Sequence, residues 1–190
     1  PNVVRQLEQP QCSATSVPIY LLYRACHEAG FKVIMTSEGA DELLGGYHWF
    51  DGDRRARKFL RWPHLLRTAL AHTPINISTA ARRVMAHGTL DPIERYTLWQ
   101  QVADTHQTSN LFKEPLVPVT SVIDHWRDQF AARLTRRHAL DQFLLLEAQT
   151  RLIDFINFEV DRMSMASSIE ARPPFLDHKF VEFAMSIPER

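Results

Sequence analysis

Apolar positions between Pro18 and Cys26 recur at helical spacing, with Ile19, Leu22, Tyr23 and Cys26 on one face. Pro18 suits the first turn of that helix and Gly30 is placed to end it. Phe31–Thr36 then reads as a short buried strand. A loop, Ser37-Glu38-Gly39, leads into a helical turn from Ala40 to Leu44 that Gly45-Gly46 stops. Helix, strand, glycine loop, helix is the order of a parallel α/β sheet. One such unit forms no sheet by itself, so its partner strands are expected outside this sequence, upstream. Beyond Tyr47 the pattern stays helical, with helices expected over 53–72, 77–87, 91–105, 121–135 and 138–160. Residues 1–17 are polar and irregular, and 106–120, with Pro115 and Pro118, is the clearest internal loop. The helical pattern breaks over 161–176, where Pro173-Pro174 forces an extended path. Asp177 is positioned to cap a last helix, 178–186, ended by Pro188. The expected organisation is therefore the end of an α/β core at 1–50, a helical region at 51–160, and a closing segment at 161–190.

Composition narrows the classes. With 190 residues, 45% apolar and 23% charged, the chain is an ordinary globular one, long enough for one real core. Lys+Arg and Asp+Glu both number 22, which gives no global attraction to nucleic acid or an anionic membrane. Any anion must be held by a local site. Cys12 and Cys26 form neither a CxxC pattern nor a disulfide framework, in keeping with a reducing cytoplasm. No apolar run reaches the roughly 18 residues of a membrane span. The chain opens on Pro1 and stops as a helix closes, so it reads as an excerpt. Arg54, Arg55, Arg57, Lys58 and Arg61 beside Trp62 read as a solvated helix face rather than a nucleic-acid contact, and Arg133, Arg136 and Arg137 as surface charge. Trp99, Phe143, Leu144 and Leu145 read as helical core. The nine histidines contain no HxxxH or HExxH and suggest no metal site.

The most informative stretch is Thr36-Ser37-Glu38-Gly39-Ala40-Asp41-Glu42. It follows a strand, where α/β proteins place ligands, and Gly39 lets a ligand approach the backbone. Free N–H groups at the next helix start suit a phosphate or carboxylate. Three carboxylates, Glu38, Asp41 and Glu42, crowd the same turn and would repel a bare phosphate. Magnesium reverses that conflict, because it takes carboxylate and phosphate oxygens together. The other reading is an acidic helix start that complements the dipole.

A second block combines charge with apolar residues: Asp161-Arg162 before Met163 and Met165, then Glu170 and Arg172 before Pro-Pro-Phe-Leu. Buried charges persist when paired or put to use, so this block is either an ion-pair knot or part of a site.

Together the blocks point further. Residues 32–47, containing Ser37-Glu38-Gly39-Ala40-Asp41-Glu42 and Gly45-Gly46-Tyr47, closely resemble the SGEGADE-L-x-GGY stretch of the asparagine synthetase family. Asp161–Ala166, Glu170-Ala171-Arg172 and Pro174–Asp177 resemble its DRMSMA…EAR-x-PFLD signature. The resemblance implies an adenine nucleotide alpha-hydrolase-like fold, a Rossmann-type parallel sheet represented here mostly by its helical part with one or two strands. It also implies a glutamine-dependent amidotransferase's synthetase domain. In that family ATP and magnesium convert a carboxylate into an acyl-adenylate, and ammonia from a glutaminase domain of the same chain attacks it. Carried over by position, Ser37, Glu38 and Gly39 touch the nucleotide or intermediate. Asp41 helps hold magnesium-pyrophosphate, with Glu42 as a weaker candidate. Glu38 is also the catalytic candidate, orienting substrate or accepting a proton from the amine.

Departures from the family pattern are Ser37 where glycine is usual, Pro173 in place of a small aliphatic, and Ser167 in place of histidine. The family's SGG-x-DS pyrophosphate loop, downstream catalytic lysine and glutaminase domain have no counterpart in these 190 residues. No turnover is expected from this excerpt alone. Aspartate is the simplest acceptor. Relatives that close β-lactams, cyclise peptides or amidate other carboxylates keep the choice open, as does a degenerate scaffold without turnover. No nucleic-acid or membrane partner is implied, and a homodimer is allowed.

Overall fold

A computed structural model describes residues 2–9, 13–74, 76–101, 122–135 and 137–188. Cys12, Arg136, the expected loop 106–120 and the end of the helix expected at 91–105 lie outside them. Contacts divide the chain into two compact units, Pro1–Gly46 with Glu147–Pro188, and Tyr47–Leu146.

The first unit carries both sequence blocks. It begins with helix α1, Asn2–Leu7, in a stretch expected to be irregular; Leu7, 5% exposed, joins the core and Val3 packs against it. Helix α2 spans Ser16–Glu28 with Pro18 in its first turn, and Gly30 follows in the left-handed region at φ 90°. Strand β1, Val33–Met35, is shorter than the expected 31–36 and only its Ile34 turns inward. Val33 and Met35 are 40% and 73% exposed, so within the described residues this is not the buried strand its composition suggests.

One partner of β1 lies within these residues, where the sequence pattern alone offered none. Strand β2, Glu170–Arg172, pairs with it in parallel: Val33 faces Glu170, Ile34 faces Ala171 and Met35 faces Arg172. Glu170 N–H donates to the Lys32 carbonyl at 2.8 Å and Thr36 N–H to the Arg172 carbonyl at 3.0 Å, extending the ladder at both ends. After the five-residue α3, Ala40–Leu44, this unit resumes with a π-helical turn at Leu152–Asn157 and a helix at Phe158–Met165. Asp161 to Met165 are thus helical, and the expected break comes later. Ser168 adopts φ 54° and Ile169 N–H returns to the Ser164 carbonyl, which closes that helix and turns the chain into β2. A 3-10 turn, Pro174–Leu176, precedes the closing helix His178–Ser186, whose start Asp177 caps by accepting from Lys179 and Phe180 N–H.

Leu7, Tyr23, Val160, Met163 and Ile169 form the core of this unit. One buried charge organises it. Glu159, 4% exposed, accepts from Thr15 Oγ1 at 2.9 and 3.0 Å and from the Ser16 hydroxyl, tying the start of α2 to the signature helix. The charges flagged in the second block lie elsewhere. Asp161 is exposed, Arg162 pairs with Glu8 at 3.1 Å near solvent, and Arg172 pairs with Glu170 at 2.7 Å with both side chains largely exposed. Those pairs stay wet because their residues stand on outer faces of helix and strand.

The second unit is helical. Its elements are α4 (His48–Leu60), α5 (His64–Ala71), α6 (Thr79–His87), α7 (Pro92–Gln100) and α8 (Val122–Leu134). Pro63 splits the helix expected at 53–72, because its ring and missing N–H end the run at Leu60. Helix α9 spans Ala139–Gln149. Trp99, Phe143, Leu144 and Leu145 are buried as expected. Asp53 and Arg95 form a buried pair at 2.9 Å, with Trp99 Nε1 donating to the same carboxylate at 3.3 Å. Gly52 permits that approach, since a Cβ there would lie 2.7 Å from the Trp99 ring.

Candidate functional site

The loop that follows β1 is fixed by the second block. Gly39 is buried at φ 93°, and a Cβ on it would stand 2.2 Å from Leu176 Cδ2. Glycine is thus required twice, for the left-handed backbone and for the close approach of the Pro-Phe-Leu turn. Two stretches more than a hundred residues apart in sequence meet through this contact and through the β1–β2 ladder.

Under the loop lies a cavity of about 250 Å³. Helix α2 contributes Ile19, Leu22, Tyr23 and Cys26 to its wall; β1 and the loop contribute Ile34, Met35, Thr36, Ser37 and Glu38. Two polar atoms of that wall, Thr36 Oγ1 and Glu38 Oε2, are buried without a hydrogen-bond partner among the described residues. Orphaned groups of this kind cost about 1–3 kcal/mol each and commonly mark a ligand or functional site. Tyr23 is 3% exposed. Burial first, then the neighbouring Glu38 carboxylate and the Cys26 thiol group, push its phenol up to about 12. It therefore stays neutral and able to donate across the physiological range.

The residues expected from sequence separate into two groups. Ser37 and Glu38 line the cavity, Ser37 exposed and Glu38 half-buried, while Gly39, next in the loop, packs against Leu176. Asp41 is exposed on α3, its carboxylate lying over Gly46, where a Cβ would meet Asp41 Oδ1 at 1.8 Å. Glu42 turns the other way. It is 2% exposed and faces Arg151 at 3.9 Å, while Arg151 also binds the fully buried Glu147 at 2.6 Å. The crowd of three carboxylates is thereby divided, and Glu42 anchors α3 internally. Among the described residues no group of three or more His, Cys, Asp or Glu gathers to hold a metal ion. Of the three, Asp41 alone is exposed, and an exposed carboxylate is a ligand type that suits magnesium where phosphates supply the other oxygens.

Tyr23, Thr36 and the Glu42–Arg151–Glu147 cluster were missed as site elements by pattern reading. Tyr23 carries the same helical spacing as its core neighbours, and nothing local to Glu147 or Arg151 announces that they meet α3. Thr36 adjoins the motif and its position was the available signal.

The profile of the family described as asparagine synthase matches residues 1–190. The chain is 25% identical over 191 residues to asparagine synthetase [glutamine-hydrolyzing] 1 of Bacillus subtilis, covering 100% of this chain and 30% of that protein. It is 26% identical over 186 residues to Amidase chyE of Penicillium rubens, covering 88% of this chain and 27% of that protein. A putative asparagine synthetase [glutamine-hydrolyzing] of Mycobacterium tuberculosis is 25% identical over 199 residues, with 99% of this chain and 29% of that protein covered. No solved structure matches. The chain thus spans about 30% of the length of the curated relatives it matches. No helix among the described residues is long and apolar enough to cross a membrane. With a whole-length family match, and with the SEGADE loop and the EAR-x-PFLD segment packed on one another, the chain belongs to the asparagine synthase family.

Proposed function

We propose that the whole protein is an ATP-dependent ligase that adenylates a carboxylate for attack by ammonia, the nitrogen coming from glutamine through a glutaminase domain of the same chain. The observation that carries this reading is the loop after β1, which the second block packs against at Gly39 and which lines one cavity with Thr36 Oγ1 and Glu38 Oε2, both buried without a hydrogen-bond partner among the described residues. Ser37 and Gly39 present the loop backbone to the nucleotide, and the tight seat of Gly39 under Leu176 holds that backbone rigid. Glu38 orients the activated acid and takes a proton from the incoming amine. Asp41 is the residue that would hold magnesium, which would supply positive charge beside the pyrophosphate. Glu42 keeps α3 in place through Arg151.

Asparagine as product follows the names of the synthetase relatives, whereas the relative named an amidase leaves the acceptor open. A cytoplasmic setting, where ATP is supplied and the free Cys26 stays reduced, belongs to the same reading, and a homodimer is compatible with it.

ATP–pyrophosphate exchange by the full-length protein tests the proposal. Exchange is expected to require magnesium and a carboxylic acid, and to fall by about 100-fold in Asp41→Asn, whose exposed position spares the fold. Absence of exchange with every acid tried would sink the activity. A wild-type rate in Asp41→Asn would sink the metal assignment.

A further inference from the structure

Resting on the adenylation reading, we infer that the cavity under the Ser37–Gly39 loop receives the acid being activated, and that this acid is a compact monocarboxylic acid with an apolar body rather than a dicarboxylic amino acid. Size is the first ground. The cavity measures about 250 Å³, below the roughly 300–1,000 Å³ of pockets that enclose drug-sized ligands. It is too small for a whole nucleotide and ample for a short acid.

The wall is the second ground. Ile19, Leu22 and Ile34 give it an apolar lining, and among the described residues that line it Glu38 is the one charged group. A second carboxylate in this space would stand near Glu38 with like charge and lose its water to an apolar surface. An apolar body loses nothing of that kind and gains from leaving water. The polar groups suit the single carboxylate. Tyr23, buried and protonated, and Thr36 are hydroxyl donors for an acyl oxygen. In the reaction a carboxylate oxygen bonds to the α-phosphorus of ATP as the bond to pyrophosphate breaks. The negative charge of the acid then leaves with pyrophosphate, which relieves its repulsion from Glu38.

The test is ATP–pyrophosphate exchange by the full-length protein with aspartate, glutamate, hexanoate, phenylacetate and leucine, compared by kcat/KM. At least one apolar monocarboxylic acid is expected to exceed aspartate by about 100-fold. Aspartate equal to or better than every monocarboxylic acid would overturn this inference and leave adenylation standing. Exchange with none of them would overturn adenylation and this inference together. Leu22→Arg adds a second readout, since Leu22 lines the cavity yet is 61% exposed and tolerates replacement. It is expected to move the aspartate-to-monocarboxylate ratio by about 10-fold towards aspartate with the KM for ATP unchanged. An unchanged ratio would overturn the assignment of the acid to this cavity.

Discussion

Asp53→Ala is expected to cost the helical unit about 4–5 kcal/mol, the upper end for breaking a buried ion pair. The Asp53 and Arg95 side chains are 4% and 2% exposed and meet at 2.9 Å. Arg95 also donates to the Leu90 carbonyl at 2.6 Å and lies over the Phe143 ring at 5.4 Å, so its guanidinium has no route to water when the carboxylate goes. The same substitution removes the acceptor of Trp99 Nε1 and the ionic partner of Arg57 at 3.4 Å. Urea unfolding of Asp53→Ala and Asp53→Asn measures the effect. The asparagine keeps an acceptor for Trp99 and should recover part of the loss. A change below about 1 kcal/mol in the alanine variant would place the pair among ordinary surface contacts.

Arg151→Met is expected to destabilise the first unit by about 3 kcal/mol, the lower end of the same range. The guanidinium is 25% exposed and so less dependent on its partners than Arg95, but it serves two carboxylates. Glu147 is fully buried and Glu42 is 2% exposed, and without Arg151 both hold their charge in a poor solvent. Methionine preserves the stem, so the loss reports charge more than packing. Because Glu42 belongs to α3, the variant should also loosen the loop, seen as faster amide exchange across Gly39–Leu44 than in wild type. Equal exchange there, with stability unchanged, would separate Glu42 from any anchoring role.

These two clusters mark the limit of what periodicity and motif reading could supply. The α2 helix, the loop after β1, the Asp177 cap and the apolar core positions of the helical unit were all legible, because each follows from local spacing or from one residue's hydrogen-bonding habit. Strand β2 was not. Glu-Ala-Arg has no strand signature, and its extended state exists through pairing with β1 across more than a hundred residues. Charges misled in both directions. Asp161 and Arg172, set among apolar neighbours, proved exposed, whereas Asp53, Arg95, Glu147 and Glu159, in unremarkable helical runs, are buried. Burial of a charge depends on which faces meet, and a linear pattern fixes faces only where apolar residues dominate.

The site was legible in the same partial way. Ser37, Glu38, Gly39 and Asp41 share one block in the sequence, and Gly39 acquires a concrete structural reason in Leu176. Glu42 shows the limit: three carboxylates in one turn look equivalent in sequence, yet a helix points successive residues about 100° apart, sending one inward to Arg151 while its neighbour faces solvent.

An experimental structure of the full-length protein with magnesium and a non-hydrolysable ATP analogue examines the central claim most directly. The nucleotide is expected within hydrogen-bonding distance of the Ser37–Gly39 backbone, with the metal on Asp41 and the cavity beside Tyr23 and Glu38 left free for an acid. A nucleotide seated where it touches none of residues 36–41 would contradict it.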